Sequence, residues 1–138
     1  MDHRLKETLH ARLLREHGYY RYPVGARTRF VLVYPNSYFV GMSNLGFHII
    51  YDLLNRRDDT ACERAFLPDR TELSRYERTR TPVMSIETQT PLMDFSVIGF
   101  SISFEMDYFH IVKILMLSHV NPYAAKRTAQ DPLIIAGG

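Results

Sequence analysis

Apolar positions in this 138-residue chain switch between helical and strand-like periods. Leu5, Leu9, Leu13 and Leu14 recur at helical spacing among charged residues, which predicts an amphipathic helix over residues 3–17, stopped by Gly18. An aromatic-rich connector over 19–25 leads to the apolar run 29–35, read as a first strand. A long glycine-containing loop follows, carrying Gly41 and Gly46, and then a helical pattern over 47–56 with Ser43 or Asn44 as its N-cap. Within that helix His48, Asp52, Asn55 and Arg56 fall on one face, which leaves Leu45, Ile49, Ile50, Leu53 and Leu54 for the sheet.

Further along, 63–68 reads as a second strand and 69–80 as a charged helix or turn with only Leu73 and Tyr76 pointing inward. Residues 82–86 form a short strand candidate, after which Pro91 breaks the pattern. The near-continuous apolar and small-residue run 97–104 fits a central strand covered on both faces. Met106, Phe109, Val112, Ile114, Leu115, Met116 and Leu117 place apolar residues around most of the next helix, which reads as deeply packed. A polar connector over 119–131 leads to a last strand at 133–136.

Strands alternating with helices at this spacing predict an α/β fold, a flavodoxin-like, doubly wound and mainly parallel sheet with helices on both faces and right-handed crossovers. Residues 1–28 make an N-terminal helix and connector, and 29–138 one domain. Ligands in such folds bind outside the carboxyl ends of the strands. Three loops should meet there: 35–46, 101–107 and the glycines Gly137 and Gly138. Glycines permit close backbone approach, and serines add compact donors and acceptors, so a flat or phosphorylated ligand suits the site. The alternative is that Gly41 and Gly46 serve only turn geometry and close helix packing. An apolar strand emptying into glycines also reads as the cut edge of a longer chain, unless it simply closes the sheet.

Composition narrows this picture. A net charge of +2, with arginines interleaved among acids in the run Arg70 to Arg80, describes a solvated face more than a nucleic-acid surface. The single cysteine, Cys62, excludes an internal disulfide framework and cannot alone hold a cluster or structural zinc. A reducing cytosol fits, and no run reaches the roughly 18 apolar residues of a membrane span. The chain carries no Gly-x-Gly-x-x-Gly turn and no Gly-Lys-Ser/Thr phosphate loop, and its 97–104 strand does not end in an aspartate, which disfavours dinucleotide, ATP and phosphorelay roles. Six histidines are dispersed, and Asp107 with His110 is only a local pair; His48 and His110 read as surface or cap residues. Glu105 and Asp107 stand near the expected pocket and would equally favour the helix dipole. Nothing forms a nucleophile–base–orienter triad.

Several phrases together carry a family resemblance: Phe30-Val-Leu-Val-Tyr-Pro35, Tyr38-Phe-Val-Gly-Met-Ser-Asn-Leu-Gly46, Tyr51-Asp-Leu-Leu-Asn-Arg56, Glu63-Arg-Ala-Phe-Leu-Pro68, Ser85-Ile-Glu-Thr88, Asp94-Phe-Ser-Val-Ile-Gly-Phe-Ser101 and Ile134-Ile-Ala-Gly-Gly138. They resemble the N-terminal region of radical SAM Fe–S oxidoreductases, in which a cobalamin-binding-like domain precedes the radical SAM barrel. The resemblance implies a partner barrel in cis that holds a [4Fe–4S] cluster and S-adenosylmethionine, since this chain has no Cys-x-x-x-Cys-x-x-Cys. It also implies a corrinoid site formed by Gly41, Met42, Ser43, Asn44, Gly46, Ser101, Ser103, Gly137 and Gly138. Cobalamin domains place Asp-x-His-x-x-Gly after the first strand; with that glycine laid on Gly46, Gly41 stands at the aspartate and Ser43 at the cobalt-ligating histidine. The Ser-x-Leu and Gly-Gly elements that house the nucleotide tail are echoed by Ser101-Ile-Ser103, with Ser103 replacing the leucine, and by Gly137-Gly138. The competing reading is a cofactor-free version of the same fold, used for substrate recruitment or interdomain packing.

Overall fold

The computed structural model describes residues 1–138. Helix α1 (His3–Leu13) buries Leu5, Leu9 and Leu13, and its N-terminus is capped by the Asp2 side chain. It ends short of the sequence pattern: Leu14 is 67% exposed, and Gly18 lies beyond the helix at φ 81°. Strand β1 (Thr28–Tyr34) leads into α2 (Tyr38–Met42) and α3 (Leu45–Asn55), then come β2 (Thr60–Phe66), α4 (Arg70–Thr79), β3 (Val97–Ser101), α5 (Asp107–Leu117) and β4 (Leu133–Gly137). The four strands form one parallel sheet in the order β2-β1-β3-β4. This is the α/β, flavodoxin-like arrangement that the alternating periods predict. Val31, Val33 and Ile98 are fully buried, as central strands of a parallel sheet require.

Further expectations are corrected by the structure. The loop after β1 is not open: Ser37 caps the short helix α2 within it. The helix α3 turns a different face to the sheet, burying Phe47, Tyr51 and Asn55 and leaving Leu45, Ile49, Ile50 and Leu53 between 44% and 73% exposed. Phe47 and Tyr51 set two large rings against the sheet, and Asn55 is held there by backbone pairing: its amide donates to the Cys62 carbonyl and its Oδ1 accepts the Cys62 N–H. Nor is α5 deeply packed around its circumference. Tyr108, Phe109, Val112 and Met116 are 45–71% exposed.

The segment 82–86 is not a strand, though it is wholly buried. It lies beside β2, with the Ile86 N–H donating to the Arg64 carbonyl and one isolated bridge between Met84 and Pro91. Its purpose becomes clear at Glu87, which is 1% exposed and accepts from the Arg64 N–H, the Arg64 Nε and the Tyr51 hydroxyl. Arg64 also donates to Glu16 at 2.7 Å and lies over the Tyr51 ring. Burial pushes the Glu87 carboxyl above its ordinary value, against the pull of Arg64 and of the Tyr51 hydrogen bond. The Tyr38 hydroxyl, which donates to Glu16, is pushed up to about 12, mainly by burial and then by that carboxylate. This polar knot ties the end of α1, α2, α3 and β2 together.

At the surface, Asp59 opens β2 and is held down at about 2 by hydrogen bonds from Arg57 and then Thr60. A depressed carboxyl stabilises the fold above its unfolded value and loses that contribution as pH falls through the folded one. Stability should therefore decline from about pH 4 toward pH 2, and Asp59→Asn should flatten that part of the profile. Chemical denaturation at a series of pH values measures it; an unchanged slope would show the Arg57 pair to be idle.

Candidate functional site

A cavity of about 660 Å³ opens on the α3 side of the sheet, over β3 and β4. Its volume falls within the range of small-molecule sites. Alternating strand positions build the floor: Phe30 and Leu32 of β1, Gly99 of β3 and Ile135 of β4. In-register neighbours of a parallel sheet share a face, which is why Leu32, Gly99 and Ile135 meet there. Gly99 allows a close approach of the Phe30 ring, because a Cβ at that position would lie 2.6 Å from Phe30 Cζ.

The wall is the aliphatic stripe of α3, with Gly46, Ile49, Ile50 and Leu54. Sequence periodicity assigns these aliphatics to the sheet, and the structure assigns them to the cavity instead. The rim carries the polar groups: Asn44, Ser101, Ser103 and the backbone of Gly137 and Gly138. Asn44 is the N-cap of α3, its Oδ1 accepting the Phe47 N–H at 2.9 Å, so the positive end of an 11-residue helix opens at this rim.

Across the cavity mouth, Asp107 shapes the loop after β3. Its Oδ2 accepts the N–H groups of Ser103 and Phe104 at 2.7 and 2.9 Å, while Oδ1 is buried without a partner. The Ile102 N–H donates to the Gly137 carbonyl at 2.7 Å, joining the ends of β3 and β4. The chain packs so tightly here that a Cβ on Gly138 would overlap the Ile102 carbonyl. Asp107 is thus a loop-shaping residue more than a group aimed at a ligand.

Of the nine residues singled out from the sequence, Asn44, Gly46, Ser101, Ser103, Gly137 and Gly138 line this cavity. Gly41, Met42 and Ser43 do not. Gly41 packs against the Phe66 ring and Tyr34 Cβ, where any side chain would overlap them, so here the close-packing alternative describes its surroundings. The Met42 sulfur lies 3.5 Å from Arg64 Nη1, on the side of the polar knot. Ser43 donates to the Phe39 carbonyl at the end of α2. His48 and His110 likewise commit a ring nitrogen to backbone, donating to the carbonyls of Met42 and Pro35 at 2.7 Å.

Phe30, Leu32, Gly99, Ile49, Ile50, Leu54 and Ile135 line the cavity without being candidates from the sequence. The one legible signal is Gly99, a glycine inside an apolar strand. No group of three or more His, Cys, Asp or Glu side chains is arranged to hold a metal ion. Cys62 is buried, and burial pushes its thiol far up, which leaves it an inert core residue. No helix is long and apolar enough to cross a membrane.

A family model described as "Radical SAM proteins, N-terminal" matches residues 46–138, from the first glycine of the α3 wall to the glycine rim. No curated protein and no solved structure matches the chain. The match takes in β2, β3, β4 and most of the cavity lining, leaving out Phe30, Leu32 and Asn44. Because it spans more than half of the sequence, the chain belongs to the family of N-terminal domains of radical SAM proteins.

Proposed function

We propose that this domain binds a cobalamin-type cofactor through its nucleotide tail and presents it to a radical SAM domain in the same polypeptide. The observation that carries the reading is the cavity: an apolar floor and wall suited to a flat heteroaromatic base, with small and hydroxyl residues at its mouth. Asn44, Gly46, Ser101, Ser103, Gly137 and Gly138 would hold the ribose-phosphate portion, aided by the positive end of α3. Phe30, Leu32, Gly99, Ile50 and Ile135 would enclose the base.

The residues present fit the tail and do not fit a lower axial ligand. Ser43 stands where the resemblance would place a histidine, its hydroxyl is committed to Phe39, and the cavity lining contains no histidine, cysteine or carboxylate. A corrinoid held here would supply organocobalt chemistry, and this chain would contribute binding, orientation and water exclusion. The [4Fe–4S] cluster and S-adenosylmethionine belong, in this reading, to the radical SAM domain. The second reading, a cofactor-free packing module, draws on the exposed apolar faces of α3 and α5.

Titration of the purified domain with hydroxocobalamin, followed by absorbance and equilibrium dialysis, separates the two. We expect saturable binding at one site per chain. A folded domain that takes up none would remove the cofactor reading and leave the packing one.

A further inference from the structure

We infer that the cavity sorts cobamides by the polarity of the lower base, the ring that ends the nucleotide tail. It takes an apolar ring, a phenol or an alkylbenzimidazole, and discriminates against a purine. The inference rests on the proposed binding of that tail in this cavity and narrows it to a ligand class.

Polarity is graded along the cavity. On the face that floors it, β3 presents Gly99 and then Ser101, and β4 presents Ile135 and then Gly137. The first hydroxyl therefore stands two residues, about 6.6 Å, further along the strand than the floor glycine. In the other direction the floor is Leu32, in register with Gly99, and then Phe30. The wall above runs from Gly46 to Leu54, eight residues and about 12 Å of helix. Every polar side chain of the lining, Asn44, Ser101 and Ser103, sits at the rim end. Asn44 is already engaged, its Oδ1 by the Phe47 N–H and its Nδ2 with the Tyr34 hydroxyl at 3.5 Å. The Leu45 and Gly46 N–H groups open α3, and no carbonyl or side chain accepts them. These donors suit the phosphodiester of the tail, which fixes its direction: the anion at the rim and the base over Gly99.

A base seated this way turns its outer edge toward Phe30, Leu54 and Ile135, where the lining offers no polar side chain. The sheet backbone gives no help, because Leu32 and Gly99 lie in paired ladders whose N–H and carbonyl groups are spent on neighbouring strands. A phenol or an alkylbenzimidazole carries only carbon at that outer edge. Adenine carries an exocyclic amine and ring nitrogens there, and each gives up water without a partner in return. Size acts the other way, since bicyclic adenine has more ring area to bury than a phenol. A preference for the phenol therefore reports polarity and not fit.

Equilibrium dialysis of the 138-residue chain against three corrinoids in the same oxidation state makes the test. The probes are p-cresolyl cobamide, adeninyl cobamide and cobinamide, which has no lower base. A phenolic base does not coordinate cobalt, so no bond to the metal competes with its entry into the cavity. The phenolic form should bind on the order of tenfold or more tightly than the adenine form, with cobinamide no tighter than the latter. Ile50→Gln sets a carboxamide in the wall at a position 44% exposed, and should cut that ratio by about threefold or more at an unchanged melting temperature. Equal affinity for the two cobamides, both tighter than cobinamide, would overturn the inference and leave the tail in the cavity. A ratio untouched by Ile50→Gln would also overturn it, since the selecting contact would then lie elsewhere. Cobinamide bound as tightly as either cobamide, or no uptake of any of the three, removes the tail reading and the inference with it.

Discussion

Replacing Glu87 with alanine should lower the stability of the folded domain by about 3–5 kcal/mol, because it strips a buried arginine of its fully buried counter-charge. Three donors lose their acceptor at once: the Arg64 N–H, the Arg64 Nε and the Tyr51 hydroxyl. Arg64 is 2% exposed and its Nη2 already lacks a partner, so water cannot take over without opening the core. Glu87→Gln should rescue little. The oxygen of the substituted amide could still accept the Arg64 N–H, but its nitrogen would then face two donors where the carboxylate oxygen accepted both. For a domain of this size the loss corresponds to a fall in melting temperature of roughly 10–20 °C. The paired replacement of Arg64 by methionine and Glu87 by leucine should recover part of it, since the two fully buried charges go together and Glu16 keeps the Tyr38 hydroxyl as a donor. Thermal unfolding followed by circular dichroism decides the matter; a loss below about 1 kcal/mol for Glu87→Ala would mean that the pair is solvated in solution.

That knot also marks where the sequence stops being legible. The runs at 29–35 and 97–104 announce β1 and β3 because strands covered on both faces are apolar throughout, and covering both faces is what a parallel sheet demands. Glu87 announces nothing. A charged residue shortly before a proline reads as exposed, and its partner Arg64 lies 23 residues away in another element. The orientation of α3 is hidden for a different reason. Phe47, Tyr51 and Asn55 form one stripe and Leu45, Ile49, Ile50 and Leu53 another, and hydropathy alone favours the second. The first wins because Asn55 completes the backbone pairing of Cys62, while Ile49 and Ile50 of the second line the cavity. Periodicity reports that a face is apolar and cannot say whether protein or ligand covers it. At the site itself, the carboxyl-edge rule locates the rim through Asn44, Gly46, Ser101, Ser103, Gly137 and Gly138. It does not separate these from Gly41, whose neighbour Phe66 lies on another strand.

Gly137→Leu should weaken hydroxocobalamin binding at least tenfold, or about 1.4 kcal/mol, without lowering the melting temperature. The position is chosen because its two effects are separable. A Cβ added at Gly137 meets nothing within 4 Å, and its φ is not positive, so the strand accepts a branch point there without a clash. The same residue lines the cavity, so the leucine occupies space the tail would need. Gly99→Ala reaches the floor by a different route: its methyl would crowd the Phe30 ring and drive it into the cavity, again weakening binding, with a modest cost in stability from the displaced ring. Ile134→Val, made on the same strand but outside the cavity lining, is the control and should bind as the parent does. If the leucine variant binds with undiminished affinity, the corrinoid does not enter this cavity. Binding lost together with the fold would implicate the Ile102 contact instead, because the Gly137 carbonyl accepts its N–H. An intact melt with lost binding is the combination that assigns the bare strand end to the ligand: what Gly137 contributes is the volume left free by its missing side chain.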